Sequence, residues 1–582
     1  MIASSPATVN PNALLGAHAR ARHARSRRTT SIVATIFAAL VLLMWAPYTA
    51  LSGMPSETAF PYMSETSSAL AGFLYRADPL RIHTNTFYHL SYLLAEALGI
   101  GGSFVPYQIV HALLWWGRGF LVFLTLRRLF PQCATAAYVA GALVLVHASD
   151  NTLQWVGQMN QFGFIFWMLL SWYLLIVAAD QTRPPAGLVF GAMACLAAYM
   201  SLWSYESQLV LMMTFPLVIW IRSAVSRRRL LLLSTAWYVV LLAYVWLTIS
   251  KYLQSDGQTY QESVLRHTWG MTDILADWWF NIVASVRFWT WWQSFLYAPI
   301  PRVIVFSALE AAAFTVGIVL VARITGERDR RAFLAPSATT WAFLAIAGFI
   351  LLALSFPAYL LLYCARCLSR TQLLSGPGAG VLLCALPGLV LSRSRPVSDS
   401  AKLVIYTTVG AVIVAFGSFA AIQKGAFHRL LWERHRAAII HILNVVPSVK
   451  PDTVIVLINV PKALDPFGHN LWLDLAARLM YPGTPVAAAY FYDDGTASPG
   501  NNLQVENERW KWDGTSVATD VRDAPIANTV VVDFKSQGPD ALVSVMPSFI
   551  CRSVCNTALY NPVARMTGST PLRVTRRYRM AP

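Results

Sequence analysis

Long apolar stretches, separated by short polar connections, run through roughly the first 420 residues of the chain. About 20 consecutive apolar residues form a helix that crosses a bilayer, and on this template the sequence predicts about eleven membrane helices. Their approximate limits are 31–50, 105–127, 133–149, 160–178, 186–203, 207–222, 230–249, 301–323, 338–358, 372–392 and 402–421. The pattern therefore predicts a mainly α-helical, polytopic membrane bundle.

The polar connections differ in their charge. Arginine and lysine crowd the N-terminal tail and recur after every second apolar stretch, within residues 127–128, 222–229, 323–331 and 393–402. Because basic residues are retained in the cytoplasm, residues 1–30 are predicted to be a basic cytoplasmic tail. The first apolar stretch reads as an uncleaved anchor. An odd number of crossings then places the C-terminus outside the cytoplasm.

Composition agrees with a membrane protein. Of the 582 residues, 56% are hydrophobic and 13% are charged, against roughly 25% charged in a soluble protein. The net charge of +17 resides largely in the tail and the short basic loops. No basic face with interleaved aromatic residues indicates nucleic-acid binding, so membrane lipids with anionic head groups are the expected counter-charge.

Two of the predicted outer connections are long. The first, roughly 51–103, ends in an amphipathic stretch, 86–98, that suits a helix in the membrane interface. The second, roughly 250–299, holds a dense aromatic run: Trp278, Trp279, Phe280, Phe288, Trp289, Trp291 and Trp292. This run is either an interfacial aromatic belt or a wall that packs a lipid tail or a sugar ring.

Near Lys424 the chain becomes polar, with Pro and Gly punctuation. Residues 31–424 are predicted to form the transmembrane domain and residues 425–582 a small extracytoplasmic α/β domain. Valine-rich runs at 453–460 and 529–532 and a weaker one at 486–492 predict strands, and 469–480 predicts a helix. Cys551 and Cys555 would face outward, where a local disulfide can form.

Acidic residues are scarce near the apolar stretches, and a carboxylate close to hydrocarbon is costly unless it has a partner or a function. Those near the predicted outer ends are Glu57, Glu65, Asp78, Asp150 and Glu206, and Arg366 and Arg370 precede the tenth stretch. Each alone has a structural explanation: Asp150 as a helix cap, for example, or Glu206 as the partner of a cation such as Arg370. Their shared side favours a common site.

Carboxylates beside an arginine at a membrane surface suit the transfer of a sugar from a lipid-linked phosphate. A carboxylate acts as general base toward an acceptor hydroxyl, and an arginine holds the leaving phosphate bidentately. The sequence has no Gly-rich phosphate loop before a helix, so a nucleotide-sugar apparatus is not predicted.

The order of elements resembles the polyprenyl-phosphate-dependent glycosyltransferases of the GT-C superfamily, which include protein mannosyltransferase-like enzymes. The resemblance begins with an acidic first outer loop that leads to an interfacial helix, and with a second apolar stretch that contains His111 and ends in the paired Arg127 and Arg128. The third stretch ends in His147, followed by Asp150 and Trp155. Ser204-Tyr205-Glu206 ends the fifth stretch, and Arg370 precedes a helix start rich in small residues. These features cover residues 31–421, and each motif is short. Tyrosine stands in Ser204-Tyr205-Glu206 where relatives have lysine.

The resemblance implies an inverting-type transfer of sugar from polyprenyl phosphate to a glycan, lipid or protein on the outer face of a bacterial inner membrane. Relatives carry an aspartate soon after the first span, whereas this chain has only glutamates there. Glu65 or Glu57 would be the base, with Glu65 preferred because residues 66–70 resemble a helix start. Arg370 would hold the phosphate, and the expected substrate-positioning residues are His147, Asp150, Trp155, Glu206 and Asp78. No cofactor and no tightly held metal are expected, although a divalent ion stays open.

The alternative is a non-enzymatic protein, either a lipid-glycan translocase or a cell-envelope assembly partner. A transporter is expected to have two related halves with broken helices near the bilayer centre. This sequence has no such repeat, and its charges cluster near the outer surface. That placement favours the enzyme.

Overall fold

The computed structural model describes residues 11–566 apart from 50–70, 76–77, 101–102, 221–225, 255–264, 267–269, 291–295, 326–336, 363, 367, 369, 395–396, 482, 513–520, 522 and 552–559. Glu57 and Glu65 therefore lie outside the described residues, as do Trp291, Trp292, Cys555 and the side chain of Cys551.

Apolar helices occupy all eleven predicted positions in the described part of the chain. They are α1 (Pro11–Trp45), α3 (Val105–Leu129), α4 (Ala134–Leu145), α5 (Met159–Asp180), α6 (Pro184–Leu202), α7 (Leu209–Trp220), α8 (Arg227–Leu253), α10 (Ile300–Thr325), α11 (Ala338–Ala353), α13 (Gly376–Arg393) and α14 (Asp399–Val445). Among the described residues nine spans are long and apolar enough to cross a membrane, and α4 and α7 are shorter. The chain is an integral membrane protein, and the predicted helical bundle is confirmed.

Burial separates central helices from peripheral ones. All twelve residues of α4 are buried, and 78% of the most apolar window of the α5 span is buried, against 33% for the α8 and α10 spans. The peripheral helices expose leucine and valine to their surroundings, for example Leu231, Val239 and Leu242 on α8. Exposed apolar faces mark a contact with lipid or with another protein, so α4 and α5 form the interior and α8 and α10 part of the rim.

The two ends of the bundle differ in chemistry. At one end, which we call the basic end, Arg127 bonds to Ser26 and Thr30 of α1, and Arg128 pairs with Asp180 at 3.3 Å. The opposite end, which we call the site end, gathers the connections after α4, after α6 and before α13.

Two amphipathic helices complete the site end. The predicted interfacial helix is present as α2 (Thr86–Ala97). The helix α9 (Met271–Val286) exposes Met271, Leu275 and Trp279, by 70%, 54% and 58%. Its buried face carries the polar side chains of Asp277, Asn281 and Ser285. The predicted aromatic run is thus divided, because Trp279 is exposed while Phe288 is buried.

The helix α14 has 47 residues, roughly 70 Å at 1.5 Å per residue, which is about twice a bilayer span. The predicted domain boundary at residue 424 falls inside it, and the next strand, β1 (Thr453–Val460), begins eight residues after it ends. A short helix, α12 (Pro357–Leu360), lies in the connection before α13.

The polar C-terminal region is built on a three-stranded parallel sheet. Its strand order is β2 (Val486–Tyr492), β1, β6 (Thr529–Asp533), and α15 (Asn470–Met480) connects β1 to β2. A small antiparallel sheet contains β3 (Leu503–Glu506), β4 (Arg509–Trp512) and β5 (Asp523–Pro525). Alternation along β2 puts Ala488 and Tyr490 in the same core as the bundle, and Ala487 in a separate core on the opposite face. The predicted strands and helix are confirmed.

Candidate active site

The site end is organised around a buried segment without helical structure, residues 146–155, which we call the polar loop. The twelve residues of α4 rise only about 18 Å, so the chain leaves the helix inside the bundle. Every residue of the polar loop except Asn151 is buried. Irregular backbone at membrane depth is tolerated only where protein surrounds it or where it lines a cavity.

The long helix α14 satisfies much of the backbone of the polar loop. The Lys424 ammonium donates to the carbonyl oxygens of Ala148 and Asp150, the latter at 3.0 Å. The His428 Nε2 atom lies 2.8 Å from the carbonyl oxygen of Asn151. Lys424, where the sequence predicts the domain boundary, therefore holds the polar loop in place.

Asp150 joins the polar loop to the turn before α13. One carboxylate oxygen accepts from the Thr152 amide at 2.7 Å and from the Arg370 amide at 3.1 Å, and the other accepts from the Gln372 amide at 2.8 Å. The Thr152 hydroxyl donates to it as well. Because Asp150 is fully buried and these donors occupy both oxygens, the geometry suits fixing two segments of backbone better than removing a proton.

Buried cations surround this carboxylate. Arg118, at the middle of α3 and only 1% exposed, donates to the Val144 carbonyl at 2.9 Å and lies over the Phe162 ring. Its Nε and Nη1 atoms have no hydrogen-bond partner among the described residues. Both Arg118 and Lys424 interact electrostatically with Asp150. Two buried cations therefore face one buried carboxylate, and an arginine at such depth is costly unless it serves a function.

His147 packs between this cluster and the start of α13. Its Nε2 atom lies 3.0 Å from the Ser285 hydroxyl, and its ring meets Phe288 at 4.9 Å. His147 is fully buried, and the Arg118 cation is among its neighbours. A Cβ on Gly376 would lie 3.3 Å from its Nδ1 atom, which explains the small residue at this helix start.

Arg370 occupies the edge of the site. Its φ of 72° is left-handed, which costs a non-glycine residue on the order of 1–3 kcal/mol, and the Asp150 carboxylate holds its amide in that conformation. The guanidinium lies over the Trp155 ring, 5.7 Å from its centre. Trp155 in turn stacks with His428 at 6.1 Å.

A second cluster fixes the end of the first outer connection. Arg81 donates to both carboxylate oxygens of Glu206, at 3.2 and 2.6 Å, and lies over the Tyr205 ring at 4.7 Å. Asp78 pairs with Lys251 at 2.9 Å. The cation paired with Glu206 is therefore Arg81, rather than Arg370 as the sequence suggested.

Arg370 connects the two clusters. Burial and the Glu206 carboxylate raise the pKa of Tyr205, while the cations of Arg81 and Arg370 act in the opposite direction. The Tyr205 hydroxyl is thus within electrostatic range of all three charged groups, and the clusters share one end of the bundle.

We expect exchange of the charges of Arg81 and Glu206 to reveal a coupled pair. The side chains are 24% and 40% exposed, so solvent screening limits the coupling to about 1 kcal/mol. Glu206→Arg should lower the thermal unfolding midpoint in detergent, and the added Arg81→Glu should restore much of the loss. The same exchange at the more exposed Arg509–Asp523 pair is the control. Additive effects of the two substitutions at Arg81 and Glu206 would contradict the pairing.

The polar face of α9 supports the connection before α13. Asp277 accepts hydrogen bonds from Arg266 and Arg366, both at 2.6 Å. Burial alone raises the pKa of Asp277, but the two arginines outweigh it and lower the pKa. Asn281 accepts from the Gln372 side chain at 2.6 Å and donates to the Ala365 carbonyl at 2.8 Å. The connection that carries Arg370 is thereby held from two sides.

The predicted site residues divide into three groups. Asp150, His147, Trp155 and Arg370 belong to one continuous network, Glu206 and Asp78 belong to the neighbouring cluster, and Glu57 and Glu65 are outside the described residues. Two residues at the centre were not predicted, Arg118 and Lys424. Arg118 had a signal, since it is a cation in the middle of an apolar stretch between Gly117 and Gly119.

No group of three or more His, Cys, Asp or Glu side chains arranged to hold a metal ion occurs among the described residues, which leave out the glutamates of the first outer connection. The expectation about metal therefore remains open.

No family model and no curated protein sequence matches the chain. Two solved structures are similar to it. The first is ArnT from Cupriavidus metallidurans bound to undecaprenyl phosphate, at 13% identity and a TM-score of 0.36, with coverage of 84% of this chain and 97% of that chain. The second is the same protein in the apo state, at 14% identity and a TM-score of 0.34, with coverage of 73% of this chain and 81% of that chain. The likeness is too distant to assign a role to any residue.

Proposed function

We propose that this protein is a membrane glycosyltransferase that moves a sugar from a polyprenyl-phosphate donor to a glycan, lipid or protein acceptor on the outer face of the membrane. One observation carries the proposal. Among the described residues of an apolar bundle, the buried cations Arg118 and Lys424 both interact with the buried carboxylate of Asp150, and Arg370 lies at the edge of the same network. Three cations close together at one end of a membrane bundle suit the binding of an anion that arrives with a lipid, and a lipid phosphate is such an anion.

The proposed reaction uses a general base for the acceptor and a cation that holds the leaving phosphate. The acceptor hydroxyl oxygen attacks the anomeric carbon while Glu65 or Glu57 takes the hydroxyl proton. The bond from the anomeric carbon to the phosphate oxygen breaks, and its electron pair leaves with polyprenyl phosphate. Arg370 holds this leaving phosphate. Attack opposite the phosphate inverts the anomeric configuration.

The remaining polar residues position these groups. Asp150 fixes the backbone of Arg370, and His147 and Trp155 line the same network. Glu206 and Asp78, through Arg81 and Lys251, hold the end of the outer connection that bears Glu57 and Glu65. In this assignment they position the base rather than touch the sugar.

The orientation follows from charge. We place the basic end and the N-terminus in the cytoplasm, since arginine-rich loops are retained there, and the site end and the C-terminal region outside. A bacterial inner membrane fits a polyprenyl carrier. The exposed apolar face of α9 then lies in the outer leaflet, where it meets the donor's prenyl tail.

The proposal is tested by incubating the purified protein in vesicles with radiolabelled polyprenyl-phosphate sugars and acceptor membranes. Undecaprenyl phosphate is the first carrier to use, because ArnT was crystallised with it. We expect label to leave the carrier and to appear on an acceptor. A lipid-glycan translocase would move the lipid between leaflets and leave the sugar on its carrier, which would contradict the enzyme.

Substitutions of Arg370 should separate the effect of its side chain on donor use from the effect of its backbone conformation on stability. Arg370→Lys and Arg370→Gly should both lower kcat/KM for the donor by about 10- to 100-fold, the size of a lost charged hydrogen bond, because neither reproduces the planar fork of arginine. Arg370→Gly should unfold at a higher temperature than Arg370→Ala, since glycine adopts a φ of 72° without strain. Unchanged donor kinetics in both variants would remove the phosphate role.

A further inference from the structure

The polar C-terminal region reaches the edge of the site through one tryptophan. Trp472, in the first turn of α15, meets Trp155 edge to face, with the ring centres 5.4 Å apart and the planes at 64°. Trp155 is only 9% exposed, because His428 and the Arg370 guanidinium cover it. Trp472 is half-buried, so it is the member of this pair with an accessible ring surface.

The backbone that carries Trp472 is held by contacts with the parallel sheet and with α14. The side chain of Asn470 bonds to the backbone of Ala488 and Tyr490 in β2, at 3.1 Å each. On the other side, Phe467 packs against His435 of α14 at 5.3 Å. The packing of Trp472 on Trp155 restricts its ring as well, so little conformational entropy is lost when a ligand packs on it.

The chemistry of a lipid-linked sugar dictates what lies beside the phosphate. A single oxygen atom joins the phosphorus to the anomeric carbon, so the sugar ring must lie next to the group that holds the phosphate. If Arg370 holds the phosphate, the nearest accessible aromatic ring on this side is that of Trp472, which packs on the edge of the Trp155–Arg370 stack. The C–H bonds of a pyranose carry a small positive charge and pack well on the negative face of an aromatic ring.

We propose that Trp472, which packs against Trp155 beside Arg370, forms the subsite for the sugar ring of the donor, and therefore that the C-terminal region takes part in selecting the sugar. This assignment rests on the proposed function and deepens it. It gives the C-terminal region a direct contact with substrate, and it separates recognition of the sugar from recognition of the phosphate.

The test compares two ligands that differ only in the sugar. Affinity is measured by titrating the purified full-length protein in nanodiscs with undecaprenyl phosphate and, separately, with undecaprenyl phosphate bearing glucose, galactose or mannose. The variants are Trp472→Ala, the conservative Trp472→Phe, and Phe549→Ala. Phe549 is a matched control, because it is 41% exposed and packs on Phe491 against the opposite face of the sheet.

We expect Trp472→Ala to weaken binding of the preferred sugar-bearing lipid about five- to tenfold, the size of one aromatic contact, and to leave the affinity for undecaprenyl phosphate unchanged. Trp472→Phe should recover most of the loss, and Phe549→Ala should bind both lipids normally. Equal binding of the sugar-bearing lipid by Trp472→Ala and the wild type would overturn the subsite alone. A wild type that binds neither lipid would overturn the proposed function, and the subsite with it.

Discussion

Replacement of Asp150 with asparagine is expected to abolish sugar transfer and to destabilise the folded protein. The carboxylate accepts from the amides of Thr152, Arg370 and Gln372, and an asparagine has only one acceptor oxygen. The substitution also removes the negative charge that interacts with Arg118 and Lys424. Loss of one member of a buried charged group costs on the order of 3–5 kcal/mol, which is much of the stability of a typical domain.

Thermal unfolding of the purified variant in detergent, followed by tryptophan fluorescence, measures this effect. Asp523→Asn on the polar C-terminal region is the matched control, because Asp523 is exposed and its pairing with Arg509 contributes little. The double variant Asp150→Asn/Lys424→Met should be less destabilised than the sum of the single variants, since it removes a charge of each sign. An Asp150→Asn variant as stable as the control would contradict the role of Asp150 as the link between the two segments.

Loss of the base is expected to have the second large effect. If Glu65 removes the proton of the acceptor hydroxyl, Glu65→Gln should lower kcat by about 10²- to 10⁴-fold, the usual contribution of general base catalysis. The affinity for the donor should stay within about twofold of the wild type, because the base acts on the acceptor rather than on the phosphate. Glu57→Gln has the same expected result if Glu57 is the base instead.

Initial rates of label transfer and donor binding are measured for both glutamine variants. Asp273→Asn, at the exposed start of α9, serves as the control for loss of a surface carboxylate. Normal transfer by both glutamine variants would eliminate the proposed base, and a loss of insertion or folding would show as a changed unfolding midpoint.

The membrane helices could be predicted because their signal is local. A run of apolar residues long enough to cross a bilayer is visible without knowledge of its neighbours, and all eleven predicted positions hold apolar helices in the described part of the chain. The strands of the C-terminal region were found for the same reason, since valine-rich runs between turn residues indicate strands directly.

The contacts of the site could not be predicted because they join residues far apart in the chain. Asp150 bonds to the backbone 220 and 222 residues later, and Lys424 bonds to a loop 274 residues earlier. The sequence placed Lys424 at a boundary because polar residues follow it, whereas α14 continues for 21 residues to Val445. Asp150, Glu206 and Arg370 could be predicted to lie on one side of the bundle. Their residue types alone, however, do not distinguish a side chain that supports backbone from one that contacts substrate.

The most direct measurement is to find where a lipid phosphate binds. A photoreactive undecaprenyl phosphate, with the reactive group near its phosphate, is crosslinked to the purified protein in nanodiscs, and the labelled peptides are identified by mass spectrometry. We predict labelling within residues 146–155 and 364–376, reduced by excess undecaprenyl phosphate and weakened in Arg370→Gly. Competed labelling confined to the basic end, near Arg127 or residues 226–229, would contradict a lipid-phosphate site at the polar loop.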